Sequence, residues 1–122
     1  MILVDTSVWA QHFRREVAAL SALLEAGEVL AHPFVLGELA LGNLRHRDSV
    51  LTDYRLLPQA RSAAHEEVLE LVERTRLFGR GIGYVDAHLL AATALSEDAR
   101  LWTFDRKLAA IAVQLNLSYR PA

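Results

Sequence analysis

The chain has 122 residues, a length typical of one domain, and we expect residues 1–122 to form a single domain. Hydrophobic residues make up 52% of the sequence and the net charge is −2, so any nucleic-acid surface must concentrate the 13 basic residues on one face. There is no cysteine, which excludes disulfides and thiolate metal ligands. The sequence shows no signal segment and no apolar stretch near the ~20 residues of a membrane span, so we expect a cytoplasmic protein without a membrane segment.

Short apolar strands and helices alternate along the chain. Thr6 and Ser7 are candidate N-caps of the first helix, Gly27 is typical of a helix end, and Pro33 favours a helix start. This alternation predicts an α/β fold in which helices cover both faces of a parallel sheet. In chain order, we predict a strand over 2–4, helices over 6–13 and 17–26, a strand over 29–31, helices over 33–42, 47–57, 61–76 and 84–97, a strand over 100–104, a helix over 106–115 and a short strand over 117–119.

The helix predicted over 61–76 is strongly amphipathic. Its apolar residues are expected to face the core, and its glutamates are expected to form a solvated face. The inward set is Val68, Leu69, Leu71 and Val72, and the outward set is Glu66, Glu67, Glu70 and Glu73.

Four carboxylates occupy positions where a charge is unexpected. Asp5 directly follows the first strand and Asp105 follows the third, while Glu38 and Asp86 lie in apolar stretches of helices, on stripes that we expect to face the core. Because sites in parallel sheets form beyond the carboxyl ends of the strands, these acids are candidates for one shared site. Converging acids need a cation, and ligands that are all oxygen select a hard one such as Mg²⁺ or Mn²⁺.

Each acid also has an ordinary explanation. Asp5 and Asp105 can act as N-caps of the helices that follow them, and Asp86 lies in a first helical turn, where a carboxylate favours the helix dipole. For Glu38 the ordinary explanation is a solvated surface position, which fits poorly because its neighbours one turn away are apolar. The combination of two acids at strand ends and two on helical stripes therefore favours a shared site.

Three hydroxyl side chains accompany the acids in the sequence. Thr6 and Ser7 follow Asp5, and Thr103 precedes Asp105 by two residues. Such groups can orient a carboxylate oxygen in a metal site. Simple capping and strand propensity are the alternative roles of these hydroxyls.

The other side chains with chemical potential give weaker signals. The five histidines show no spacing typical of metal ligands, and we expect His88 to have a structural or surface role. Trp9 and Phe13, one turn apart, are expected in the core or in an interface. The candidates for contacts with the phosphates of a nucleic acid are Arg14, Arg106 and Lys107.

Four motifs in order resemble the PIN-domain ribonucleases. They are Asp5-Thr6-Ser7 after an apolar strand, Glu38 in Glu-Leu-Ala-Leu-Gly, Asp86 in Asp-Ala-His-Leu-Leu-Ala-Ala-Thr-Ala, and Thr103-Phe-Asp105 in Leu-Trp-Thr-Phe-Asp-Arg-Lys-Leu. Their order and spacing, and the small size of the chain, are most similar to the VapC toxins of bacterial toxin–antitoxin pairs. The resemblance covers essentially the whole chain and includes all four acids.

This resemblance implies a three-layer α/β/α sandwich with a short, mostly parallel central sheet. It also implies an endoribonuclease toxin whose four acids bind Mg²⁺ or Mn²⁺ and hydrolyse RNA phosphodiesters. The family further implies a homodimer and a small cognate antitoxin whose C-terminal segment enters the active-site groove.

Other classes with acidic pockets fit the sequence less well. A phosphorylated receiver needs a lysine after a late strand, but the only lysine, Lys107, stands beyond Asp105 at a helix start. A phosphatase with an aspartate nucleophile needs a second acid two residues after Asp5, where Ser7 stands. The alternative that stays open is a non-catalytic RNA- or protein-binding domain with a structural metal site.

Overall fold

Three short parallel strands lie side by side in the computed structural model, which describes residues 1–122. The central strand β1 (Ile2–Val4) pairs with β2 (Val29–Leu30) on one side and with β3 (Arg100–Trp102) on the other. All three residues of β1 are buried, which is the pattern of a strand covered on both faces. The carboxyl ends of the strands therefore lie along one edge in the order β2, β1, β3.

Seven helices connect and follow the strands, as parallel pairing requires. They are α1 (Thr6–Arg14) and α2 (Ala18–Glu25) between β1 and β2, α3 (Pro33–Leu41), α4 (Arg47–Arg55), α5 (His65–Thr75) and α6 (Tyr84–Leu95) between β2 and β3, and α7 (Arg106–Gln114) after β3. The predicted α/β fold with a short parallel sheet is confirmed. None of the helices combines the length and the apolar content that crossing a bilayer requires.

The core is one cluster of 29 buried apolar residues. Helix α6 contributes an uninterrupted buried run from Ala87 to Thr93, as expected for a helix surrounded by other elements. Trp9 is in this core, and Phe13 stacks on it with ring centroids 5.7 Å apart. Asp86, in the first turn of α6, is therefore carried by the most buried helix of the fold.

Several predicted boundaries differ from the structure. Helix α5 begins at His65 and not at residue 61, and Leu69, predicted to face inward, is 40% exposed. The strand predicted over 29–31 ends at Leu30, and Ala31 makes a single bridge to Gln59.

The carboxyl-terminal strands are also shorter than predicted. The strand over 100–104 ends at Trp102 because the next residues bond to side chains of the candidate site. The strand over 117–119 is reduced to one parallel bridge between Leu101 and Ser118, flanked by two backbone hydrogen bonds.

Candidate metal and catalytic site

Asp5 lies at the carboxyl end of the central strand, where it is fixed by its backbone and its side chain. Its amide donates to the carbonyl oxygen of Trp102 at 2.9 Å, which continues the pairing of β1 with β3. Its Oδ2 atom accepts from the hydroxyls of Ser7 and Thr103, both at 2.7 Å. The residue is only 6% exposed, and these two donors offset the loss of water around its charge.

The same two hydroxyls hold the segment after β3 against α1. The Ser7 hydroxyl accepts from the amide of Phe104 at 3.0 Å, and the Thr103 hydroxyl accepts from the amide of Asp105 at 3.0 Å. Asp5 and Asp105, which are 100 positions apart in sequence, are therefore joined through the Thr103 hydroxyl, while the Ser7 hydroxyl joins Asp5 to the amide of Phe104.

The predicted capping roles around Asp5 are wrong. Thr6 and Ser7 are the first two residues of α1, and Asp5 occupies the N-cap position without a side-chain capping bond. Ser7 and Thr6 instead direct their hydroxyls at carboxylates. Thr6 Oγ1 donates to Oε1 of Glu38 at 2.5 Å, which links α1 to α3.

Glu38 lies on the exposed side of α3, so the prediction that it shares a core-facing stripe is wrong. Helix α3 buries Val35 and Leu39, whereas Phe34 is 38% exposed and Leu41 is 91% exposed. Solvent contact lowers the cost of the Glu38 charge, and it also leaves the carboxylate accessible to a ligand.

Asp86 lies at the start of α6, where it is half-buried. Its Oδ2 accepts from the amide of Gly83 at 3.0 Å, which is a helix-terminus role. Burial raises the pKa of the Asp86 carboxyl, and the negative charges of Asp5 and Asp105 raise it further against the effect of the Gly83 amide. Asp86 is therefore close enough to both strand-end acids for their charges to disfavour its own.

Asp105 has the N-capping role that its position predicts. Its Oδ1 accepts from the amide of Leu108 at 3.0 Å, and the residue is exposed. The cap does not compete with a role in the site, because it uses one carboxylate oxygen and leaves the other without a partner.

The four carboxylates share one hydrogen-bonding pattern. Each has one oxygen that accepts hydrogen bonds from the protein and one that accepts none, and neither of the two ion pairs of the structure includes any of them. An all-oxygen donor set without basic partners fits a hard divalent cation. However, no group of three or more His, Cys, Asp or Glu side chains is positioned to hold a metal ion as the side chains stand. Like charges repel, so a cation would have to draw the free oxygens inward.

The candidate phosphate contacts lie on two sides of the acids. Arg14 lines a groove of about 500 Å³ together with Thr6 and Glu38. Arg106 and Lys107 are exposed at the start of α7, directly after Asp105. Lys107 packs on Gly81, where an added Cβ would lie 2.9 Å from the Lys107 ammonium and where φ is +81°.

Two further side chains of interest, Arg45 and His32, were not among the sequence candidates. Arg45 lines the same groove as Arg14, and its position in the connection that follows the Glu38 helix was the available signal. His32 is 1% exposed and caps α3 through its Nδ1, which accepts from the amide of Phe34 at 3.0 Å. His88 is buried against the Phe34 and Tyr84 rings, both at 4.6 Å, so its role is structural.

The fold can be assigned to a known class of proteins. Residues 2–114 match the PIN domain family, and the chain belongs to this family. It is similar to a protein named Ribonuclease VapC32 in two strains of Mycobacterium tuberculosis, CDC 1551/Oshkosh and ATCC 25618/H37Rv. Each is 53% identical over 110 residues, which cover 90% of this chain and 89% of the relative. The resemblance to VapC-type PIN domains is thereby confirmed.

Proposed function

We propose that this protein is a metal-dependent endoribonuclease and the toxin of a toxin–antitoxin pair. The observation that carries this proposal is the group of acids at the carboxyl edge of the sheet, each with one unbonded oxygen and none with a basic partner. The relatives named as ribonucleases support the same activity.

Asp5, Glu38, Asp86 and Asp105 are the residues that would hold the ion. A bound Mg²⁺ or Mn²⁺ would supply Lewis-acid and water-activating chemistry for phosphodiester hydrolysis, with a 5′-phosphate and a 3′-hydroxyl as the expected ends. The residues of this chain determine the position of the ligands. Ser7 and Thr103 fix one oxygen of Asp5, and Thr6 fixes one oxygen of Glu38, so that the other oxygen of each points to a defined place.

The deciding experiment is RNA cleavage by the pure protein with Mg²⁺ or Mn²⁺, with and without EDTA. We expect cleavage that EDTA abolishes, and we expect its loss in Asp5→Asn, Glu38→Gln, Asp86→Asn and Asp105→Asn, because each change keeps the shape of the side chain and removes a ligand charge. Asp98→Asn is the matched control, since Asp98 lies in the turn before β3, at the opposite edge of the sheet. If folded protein cleaves no RNA with either metal, the better description is a non-catalytic RNA- or protein-binding domain with a structural metal site.

The proposed partner is a small antitoxin whose C-terminal segment covers the acids in the cytoplasm. An arginine of that segment would bind a carboxylate bidentately, and apolar residues of the segment would pack against the nearby helices. A cavity of about 160 Å³ suits such anchors, and it is lined by Asp53 and by six apolar or aromatic residues, Trp9, Phe13, Leu24, Val50, Tyr54 and Leu57. Leu20 of α2 is fully buried and takes no part in this cavity.

Expression in a bacterial host tests the toxin role. We expect expression of the chain alone to arrest growth, and co-expression of the neighbouring small reading frame to relieve the arrest. Reversing the charge of the partner's basic residue should weaken inhibition more than binding, because the apolar anchors remain. Harmless expression at a high level, together with absence of cleavage, would contradict the toxin role.

A further inference from the structure

A groove contains Glu38, one of the four acids, and two arginines that have no acidic partner. One wall is the face of α1 formed by Thr6, Ala10, Phe13 and Arg14, and the other comprises Glu38, Leu39 and the connection from Gly42 to Arg45. Thr6 and Arg14 are eight residues apart on one helix, so the α1 wall extends for ~12 Å at 1.5 Å per residue. Thr6, which donates to Glu38, lies at one end of this wall, and Arg14 lies at the other.

The two arginines are available for a ligand. Arg14 donates only to Gln11 Oε1, one turn before it on the surface of α1, at 3.3 Å. Arg45 is exposed and makes neither a side-chain hydrogen bond nor an ion pair. The chain is acidic overall, so two unpaired arginines at the end of a groove that begins at Glu38 are a local excess of positive charge.

We infer that this groove binds single-stranded RNA on one side of the scissile phosphate, with Arg14 and Arg45 contacting successive backbone phosphates. Guanidinium groups match phosphate oxygens bidentately. A wall of ~12 Å accommodates at most about three nucleotides, the number that fits at the stacked spacing of ~3.4 Å. Gly42 contributes no side chain to the groove, and the half-buried Phe13 and Leu44 supply an apolar surface for the bases.

The order of the strands extends this path across the molecule. Glu38 follows β2, Asp5 follows β1 and Asp105 follows β3, and β1 lies between the other two strands. An RNA strand that enters over Arg14 and Arg45 would cross the acids and leave over Arg106 and Lys107. The groove is thus the β2 side of the path, and it determines which nucleotides reach the acids.

The inference rests on the proposed function, because it takes RNA as the substrate, and binding without metal separates the two. The probe is a short single-stranded RNA of random sequence, measured by fluorescence anisotropy in EDTA over a series of salt concentrations. The test variant is R14A/R45A. The control is R61A/R100A, which removes the same charge from the opposite edge of the sheet. There the backbone amide of Arg61 donates to the Ser96 hydroxyl, and Arg100 begins β3.

We expect R14A/R45A to weaken binding at least ~tenfold, and the slope of log affinity against log salt to fall by about 1.4, at about 0.7 per phosphate contact in single strands. The control should keep the wild-type slope. R14K/R45K should keep the slope but bind less tightly, because lysine retains the charge but cannot bind a phosphate bidentately as a guanidinium does. These residues are exposed, so an unchanged circular dichroism spectrum and melting temperature should accompany each variant.

If R14A/R45A binds RNA as the control does, the groove is not an RNA site and the inference is overturned, even if the protein cleaves RNA with metal. If binding falls as expected but no metal supports cleavage, the groove stands and the proposed catalytic function fails. If RNA binding is unchanged and only inhibition by the co-expressed partner is lost, the groove belongs to the protein partner and the inference is likewise overturned.

Discussion

Asp5 and Asp86 carry their charges in contrasting environments. Asp5 is almost fully buried, but two hydroxyls donate to it. Asp86 is less buried and receives one backbone hydrogen bond, and its pKa is raised by burial and by the charges of Asp5 and Asp105. The charge of Asp86 is therefore unfavourable in the protein without metal, and a cation would relieve it.

We predict that, in EDTA, the free energy of unfolding of Asp86→Asn is equal to or higher than that of the wild-type protein. The amide oxygen can still accept from Gly83, while repulsion with Asp5 and Asp105 disappears. Wild-type protein should gain about 2.7 kcal/mol when Mn²⁺ exceeds its dissociation constant ~100-fold, and the variant should gain much less. Thermal melts with EDTA and with Mn²⁺ measure both effects, with Asp98→Asn as control. A variant that melts well below wild type in EDTA would contradict this account.

His32 makes stability depend on pH through a different mechanism. Burial, together with the charge of His88, lowers the pKa of His32 from 6.5 to about 4. Because the pKa is lowered in the folded protein, the unfolded chain binds the His32 proton more tightly than the folded protein does. The stability from neutral His32 is therefore complete above pH 6.5 and is lost as pH falls from 6.5 towards 4. Between about pH 7.5 and about pH 5, we expect a loss of about 2 kcal/mol from this group.

Urea unfolding at these two pH values tests the prediction, with His32→Asn for comparison. Asparagine is a good N-cap, so it can replace the bond from the amide of Phe34 without titrating. The fall in stability should be about 2 kcal/mol smaller in the variant than in wild type. Equal pH slopes in the two proteins would show that His32 is not the group responsible.

At the scale of elements, the ends of β1 and β3 are joined by side chains rather than by a longer ladder. The Thr103 hydroxyl donates to Asp5 and accepts from the amide of Asp105, and the Ser7 hydroxyl donates to Asp5 and accepts from the amide of Phe104. We call these four hydrogen bonds of Ser7 and Thr103 the interlock. The interlock ends β3 at Trp102 and directs the chain into α7. The same bonds that shape the backbone thus position two of the acids.

We predict that Thr103→Val destabilises the protein by about 1–2 kcal/mol, because it leaves the Asp105 amide without its acceptor and Asp5 with one donor fewer. Valine keeps the volume and the branching at Cβ, so packing should change little. Thr103→Ser keeps the hydroxyl and is the matched control. Urea unfolding measures the difference, and a Thr103→Val midpoint equal to that of Thr103→Ser would show that the interlock contributes no stability.

The sequence predicted the elements and their order because those signals are local. Apolar runs, Gly27 and Pro33 act within a few residues, and they define the helices and the parallel sheet. The end of β3 was misplaced because its partner is Ser7, 97 positions away from Phe104. The exposure of Glu38 was missed because apolar residues occur on all sides of α3, so the helical period does not define a buried face there.

For the candidate site, residue types and strand ends were sufficient to select the four acids as candidates, but they did not predict the surroundings of these acids. The bond from Thr6 to Glu38 depends on the packing of α1 against α3, and the groove that includes Arg45 depends on the connection between α3 and α4. Neither contact has a signature in the local sequence. Both arise only when helices that are distant in sequence meet at one edge of the sheet.

At the scale of the whole molecule, we predict a symmetric homodimer. Trp9, which was expected in the core or in an interface, belongs to the core and cannot contribute to a contact between subunits. Two leucines of the α3–α4 region still stand out, because Leu41 is 91% exposed and Leu56 is 79% exposed. Single exposed leucines are common on monomers, so the prediction depends on their burial in a two-fold contact.

Light scattering at micromolar concentration should therefore give twice the mass of 13.6 kDa. If the contact uses the α3–α4 region, L41E/L56E should yield a monomer, because a two-fold axis brings each new charge close to its copy and desolvates it. The control is L69E on α5, where Leu69 is 40% exposed and the change adds a charge to a face already rich in glutamate. A monomeric wild type would contradict the dimer, and a dimeric L41E/L56E would exclude this region as the contact.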